Sequence, residues 1–226
     1  MSPSSTPQPP EATRATRGRP PRLDQARTVE AALQLLDASG LDALTMRRLA
    51  DAVGAQAGAL YRYFAAKQDL LTAMAERMLA DCTPRSPAHG DWSEQLADLA
   101  RRMRTALLNH RDGARVYAGT HATGENTLGF ADTLVGVLLD AGFQADDAAR
   151  AALAVVHFTV GHTLEEQAAT QATDEEPADP ERLRQAVTSG HYPHLAAALP
   201  VLTSSDFTAH FEFGLRLLVR GLRSLD

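Results

Sequence analysis

Apolar residues begin to recur at helical spacing about two dozen residues into the chain. From Asp24, whose side chain suits a cap, Val29, Leu33 and Leu36 fall on one stripe with Ala32 and Leu35 beside them, and Ser39-Gly40 ends the run. Thr45 is then expected to cap a short second helix whose Leu49, Ala50 and Val53 face inward. Gly54 closes it where a left-handed residue is required. A third short helix is expected from about Gln56 to Phe64, with Leu60 and Phe64 sharing a face. A longer one follows from Lys67 to about Asp81 through Leu70, Leu71, Met74 and Met78. Thr83 to Gly90 holds two prolines and a glycine, which predicts a boundary between a small head and a larger body. Beyond it, helical periods occupy about 92–109, 115–122, 126–141, 146–170, 181–188 and 206–224, and no stretch alternates as a strand does. The expected fold class is all-α: a head with three helices and a connecting helix (residues 23–82), joined to an all-helical body (residues 83–226).

The last period is apolar on two sides. Phe207, Phe211, Leu215, Leu218 and Leu222 form one stripe, and Phe213 with Leu217 forms another. A surface helix needs one buried face, so the second is expected to meet a partner subunit in a homodimer. Helix 146–170, where Gly161 permits close approach, is its expected neighbour. Residues 1–22, rich in arginine and proline and without an apolar period, are expected to form a disordered arm.

With 44% apolar and 22% charged residues, the composition is that of a globular chain. No apolar run reaches the roughly 18 residues of a membrane span, and the first residues lack the apolar core of a secretory signal. The expected location is the cytoplasm, with no membrane partner. A single cysteine, Cys82, supplies neither an internal disulfide nor a metal-binding pair. The net charge of −6 is unevenly spread. Residues 1–22 carry four arginines against one glutamate, whereas residues 23–82 carry six basic against eight acidic side chains, and the rest nets −7. Positive charge at the front of an acidic body points to a module that meets a polyanion.

The segment from Leu44 to Gly54, continued by Gln56 to Phe64, places a capped helix, a glycine turn and a second short helix within about 20 residues, the spacing of a helix-turn-helix. Apolar positions lock the two helices together. Thr45, Arg47 and Arg48 on the first, and Gln56, Ala57, Gly58, Ala59, Tyr61, Arg62 and Tyr63 on the second, are left outside. An ordinary helical hairpin with solvated arginines would share this pattern.

Leu44-Thr45, Arg47, Leu49-Ala50 and Val53-Gly54, followed by Leu60-Tyr61-Arg62-Tyr63-Phe64, Lys67 and Leu70-Leu71, resemble the tetracycline-repressor (TetR) family of bacterial regulators. The likeness continues through Arg111-Asp112-Gly113-Ala114, Gly119-Thr120, His157-Phe158-Thr159, Leu164-Glu165, Gly214-Leu215 and Arg220-Gly221 in the body. It implies a double-stranded DNA operator as partner. By position, Arg47 corresponds to an arginine that reads a guanine edge, for which its bidentate fork is suited. Thr45, Tyr61 and Lys67 correspond to phosphate contacts, leaving Gln56 and Arg62 as further base or backbone readers. Ala57, Gly58 and Ala59 are too short for hydrogen-bonded readout. In the arm, Arg17-Gly18-Arg19-Pro20 has the form of an AT-hook core, so Arg17 and Arg19 are expected in the minor groove; an inert arginine- and proline-rich tail is the alternative.

The same resemblance implies a pocket for a small-molecule effector. Where the tetracycline repressors use a histidine and a glutamate to hold a drug-chelated magnesium ion, this chain has Tyr117 and Glu165. Thr83, Leu99 and Leu134 stand where a histidine, an asparagine and a glutamine would grip the drug, and Met103 and His121 replace an aromatic residue and an arginine. The expected lining is Leu99, Met103, Tyr117, Thr120, His121, Leu134, Phe158, His162 and Glu165. It suits a largely apolar, polycyclic or aromatic molecule with a few oxygen functions, rather than tetracycline, and implies no cofactor or metal ion. Tyr117, Met103, Leu99 and Leu134 are equally compatible with core positions, and His162 with Glu165 is compatible with a pair on a helix surface. No nucleophile, base and orienting group stand at suggestive spacing, so no enzyme is expected. The expected function is an effector-released repressor. The alternative is an architectural DNA binder of low specificity, indifferent to ligand.

Overall fold

A computed structural model of the chain describes residues 24–84, 90–171 and 180–224. The arm, with Arg17 and Arg19, lies outside the described residues. Those described form eleven helices and no strand: α1 (Gln25–Ser39), α2 (Met46–Ala52), α3 (Ala57–Leu60), α4 (Lys67–Met78), α5 (Trp92–Leu108), α6 (Gly113–Ala118), α7 (Glu125–Asp140), α8 (Ala145–Thr170), α9 (Pro180–Ser189), α10 (Pro193–Leu202) and α11 (Phe207–Leu222).

Local signals account for the head. The Asp24 carboxylate accepts the Ala26 N–H at 3.0 Å and starts α1, and Thr45 Oγ accepts the Arg48 N–H at 3.2 Å and starts α2. Gly54 turns the chain toward α3 with φ of 64°, a left-handed conformation that costs glycine little. Two departures from the sequence pattern have local causes. The third helix is a single turn, because Ala-Gly-Ala offers little side-chain packing to extend it, and Tyr61–Tyr63 continue as a turn. In the body, α10 appears in a run of Pro, Ala and Leu without polar alternation. Proline at its start fits the missing N–H, although Pro200 interrupts its last turn.

One continuous apolar core runs from Val29 and Leu36 through Leu49, Leu60, Phe64 and Met74 into Leu96, Met103, Val155, Phe211 and Leu215. The head is therefore seated on the body rather than tethered to it. α4 is the shared element, packing on α1 on one side and on α6 and α7 on the other. Cys82 is buried at the end of this segment, and desolvation pushes its thiol up to about 11, leaving a protonated, packed side chain.

Polar joints fix α6 between head and body. The Asp112 carboxylate, buried, accepts the Leu41 N–H at 2.7 Å, and Asp37 accepts the Arg111 N–H at 3.0 Å. From the other side, buried Gln167 of α8 donates to the carbonyls of Leu107 (3.1 Å) and His110 (2.8 Å) and accepts the Ala114 N–H at 3.0 Å. Replacing this amide by an apolar isostere strands three backbone groups at the α5–α6 corner. Gln167→Leu is expected to lower the unfolding free energy by about 2–4 kcal/mol in urea titration. A loss under about 0.5 kcal/mol, typical of an uninvolved surface site, would show the corner to be held by packing alone.

Candidate nucleic-acid interface and ligand cleft

The exposed surface of the head is built by α2, the Gly54 turn and α3. Leu49 and Leu60 are fully buried between the helices, which leaves Thr45, Arg47, Gln56, Tyr61 and Arg62 together on the outside. The neighbouring arginines differ. Arg48 donates to the Ala43 carbonyl and to Ser39 Oγ, both at 3.0 Å, so it ties α2 back to the loop after α1. Arg47 is exposed and makes no such bond among the described residues, which leaves its guanidinium donors for an external acceptor. Lys67 is half-buried and directs Nζ to the Leu41 carbonyl at 3.4 Å. Nearby Asp42 is held below the usual carboxylate range, first by its hydrogen bond and charge interaction with Arg115 and in small part by Lys67. Lys67 thus helps anchor the loop as well as placing positive charge beside the reading surface. The surface of α3 is shallow at Ala57, Gly58 and Ala59, which allows close approach of a duplex but supplies no hydrogen bonds to bases.

In the body, a cleft of about 520 Å³ opens between the end of α6, the start of α7 and the middle of α8. Of the nine residues expected to line a pocket, it brings together Tyr117, Thr120 and His121. Desolvation raises the pKa of Tyr117, with smaller contributions from Cys82 and Glu76, so its phenol is a neutral donor across the physiological range. Thr120 Oγ donates to the Tyr117 carbonyl at 2.9 Å and fixes the turn that presents both residues. The opposite wall is a stripe on α8, Leu153, Val156, His157, Val160 and Leu164, with Thr127 of α7 at the rim. None of these wall residues was among the nine expected, yet the stripe was legible: its members follow one another at i, i+3, i+4, i+7 and i+11.

The other expected residues lie elsewhere. Leu99, Met103 and Leu134 are packed in the core at 1–2% exposure. Glu165 is exposed on α8, outside the cleft lining. Phe158 and His162 sit on the side of α8 that meets α11, where Phe158 stacks on Phe211 with centroids 5.4 Å apart and His162 meets the Phe211 ring at 5.3 Å. Burial lowers the His162 pKa, opposed by Glu166 across 3.9 Å, and its Nδ1 has no hydrogen-bond partner. A bidentate pair from Arg104 to Glu166 (2.9 and 2.7 Å) closes this packing against α5. The cleft is therefore a largely apolar trough with hydroxyl and imidazole groups from Tyr117, Thr120, His121 and Thr127 and one further imidazole, His157, on the α8 wall.

Two family models cover most of the chain. Bacterial regulatory proteins of the tetR family match residues 29–74, and the tetracyclin repressor-like C-terminal domain matches residues 83–225. The tetracycline repressor protein class A of Escherichia coli transposon 1721 is 42% identical over 205 residues, covering 89% of this chain and 91% of the relative. Among solved structures, a protein from Streptomyces coelicolor A3(2), described as a possible TetR family transcriptional regulator, is 67% identical. Its TM-score is 0.82, with 90% of this chain and all of that chain covered. The Streptomyces coelicolor TetR family protein ActR, solved in complex with (S)-DNPA, is 28% identical with a TM-score of 0.81, covering 91% of this chain and 99% of that one.

The contrast between engaged Arg48 and unengaged Arg47 leads to a specific expectation. Arg47→Ala should lose about 1–3 kcal/mol on a duplex enriched from a random pool by the wild-type chain, and much less on random DNA. Competition gel shifts at fixed salt measure both, and equal losses would mark Arg47 as a phosphate clamp.

Proposed function

Because this chain belongs to the TetR family of bacterial DNA-binding transcriptional regulators, which are not enzymes, we propose that it is a homodimeric repressor of a palindromic operator. Its release is assigned to a small, largely apolar, polycyclic or aromatic molecule bound beside Tyr117. The observation that carries this reading is the cleft itself: one wall is a stripe of α8 that is apolar except at His157, and the facing residues from the α6 end and α7 offer Tyr117, Thr120, His121 and Thr127. Tyr117 is a poor magnesium ligand, which disfavours a metal-chelated tetracycline. A fold neighbour solved with (S)-DNPA supports the organic-ligand reading.

Dimerisation is supported by α11, which buries Phe211 and Leu215 against its own chain and leaves Phe213 and Leu217 more than half exposed. A second copy covering that face ties the two heads together and limits the spacings they can adopt. They reach successive major grooves when about 34–36 Å apart. A molecule that binds better to another spacing draws the population off DNA. No helix among the described residues is long and apolar enough to cross a membrane, and the reading puts the protein in the cytoplasm with its operator. The shallow surface of α3 favours one second reading, a low-specificity architectural binder.

The two readings separate in one series of gel shifts on duplexes enriched from a random pool, with random DNA as competitor. The expected enriched site is two-fold symmetric and its shift resists competition. Micromolar (S)-DNPA should dissolve the shift at lower concentration than tetracycline with magnesium, and Tyr117→Phe should raise the (S)-DNPA concentration required roughly tenfold, the equivalent of about 1.4 kcal/mol. A specificity ratio near one would establish the architectural reading, and release by magnesium-tetracycline at the lower concentration would overturn the assignment of the cleft.

A further inference from the structure

Glu76, in the last turn of α4, caps a different helix. Its carboxylate accepts the N–H of Asn126 through Oε1, and through Oε2 it accepts both the N–H of Thr127 at 3.1 Å and the Thr127 hydroxyl at 2.6 Å. Asn126 Nδ2 donates back to the Glu76 carbonyl at 3.1 Å. α7 has no cap of its own, because its N-cap residue is Gly124 and no side chain there accepts a hydrogen bond. A Cβ at that position would overlap the Glu76 carboxylate, so glycine is what lets the two elements approach. The orphan donors and positive end of a 16-residue helix are thus satisfied by a charge carried on α4. Thr127 also lines the cleft. One residue therefore lines the cleft and makes the bond that ties this part of α7 to the head's connecting helix.

We propose that Glu76 is the positioning residue through which cleft and head sense each other, an inference that rests on the effector-released reading above. The four hydrogen bonds hold one placement of α4 relative to α7, and α4 begins at Lys67, bonded to the loop that precedes α2. A molecule that presents an acceptor oxygen to Thr127 competes with the carboxylate for the same donors, and an anionic oxygen repels it as well. Either releases α4 from α7. By linkage, fixing the heads on DNA must in turn change how firmly the cap is made.

Hydrogen exchange of the 124–130 segment tests this in the full-length chain, using as probe the duplex enriched by the wild-type protein. In the free protein, Glu76→Gln and Gly124→Ala should each speed exchange at Asn126 and Thr127. The second variant pushes the carboxylate away without touching the head. Binding of the duplex should alter exchange there several-fold in the wild type and leave it unchanged in both variants. Faster exchange in the variants with no effect of duplex on the wild type would reduce Glu76 to a structural cap and overturn the proposal. Failure of the repressor reading itself is visible earlier, as a wild-type chain that enriches no duplex, and it removes the coupling with it.

Discussion

The hydrogen bond from the Leu41 N–H to the buried Asp112 carboxylate, 2.7 Å long, is the constraint on which the placement of the head depends. Asp112 holds it from a left-handed conformation, φ 57°, the only positive φ at a non-glycine position among the described residues. Aspartate tolerates that conformation better than most side chains, and here its carboxylate is used in full. One oxygen takes the backbone of the α1–α2 loop and the other takes Arg115, which also reaches Asp42 at 3.2 Å. Most of these ion pairs are exposed and individually weak. The bond from the Leu41 N–H to the buried carboxylate is what fixes the placement of the loop.

From that joint the rest follows in space. α6 is six residues long, and its N-terminal end is bonded both to the head, through Asp112 and Leu41, and to α8, through Ala114 and Gln167, so neither α1 nor α8 can move far without disturbing it. Tyr117 is on α6, Thr120 and His121 lie just past its end, and the cleft is closed across by α8. A ligand that presses on these residues therefore acts on the element that seats the head. The Arg104–Glu166 pair and the Phe158–Phe211 stack hold α5, α8 and α11 as a stiffer frame.

Features set within a few residues were legible in the sequence: the Thr45 cap, the left-handed Gly54, the stripe of α1, and the two-sided apolarity of α11. So was the placement of Tyr117, Thr120 and His121 near one another, since all three lie in one turn. Residues assigned to the pocket from more distant strings behaved differently. Leu99, Met103 and Leu134 match family positions, but with apolar side chains in place of polar or aromatic ones they pack into the core. Phe158 and His162 lie near the cleft in sequence and on the opposite side of α8 in space, because rotation about a helix decides a side chain's neighbours. The resemblance singled out Arg47 over Arg48, and the Ser39 and Ala43 contacts of Arg48 give that difference a physical cause. Glu76 gave no local signal, because its partners lie 50 and 51 residues away.

The central claim is that two heads on one dimer occupy a range of spacings from which DNA selects one. Electron-electron distance measurement between spin labels at Gln34→Cys, an exposed site on α1, tests it directly, with buried Cys82 left unlabelled. A broad distribution in the free protein that narrows on the enriched duplex is the result expected. The same narrow distribution in both states would contradict the account, because it leaves the cleft no equilibrium to shift.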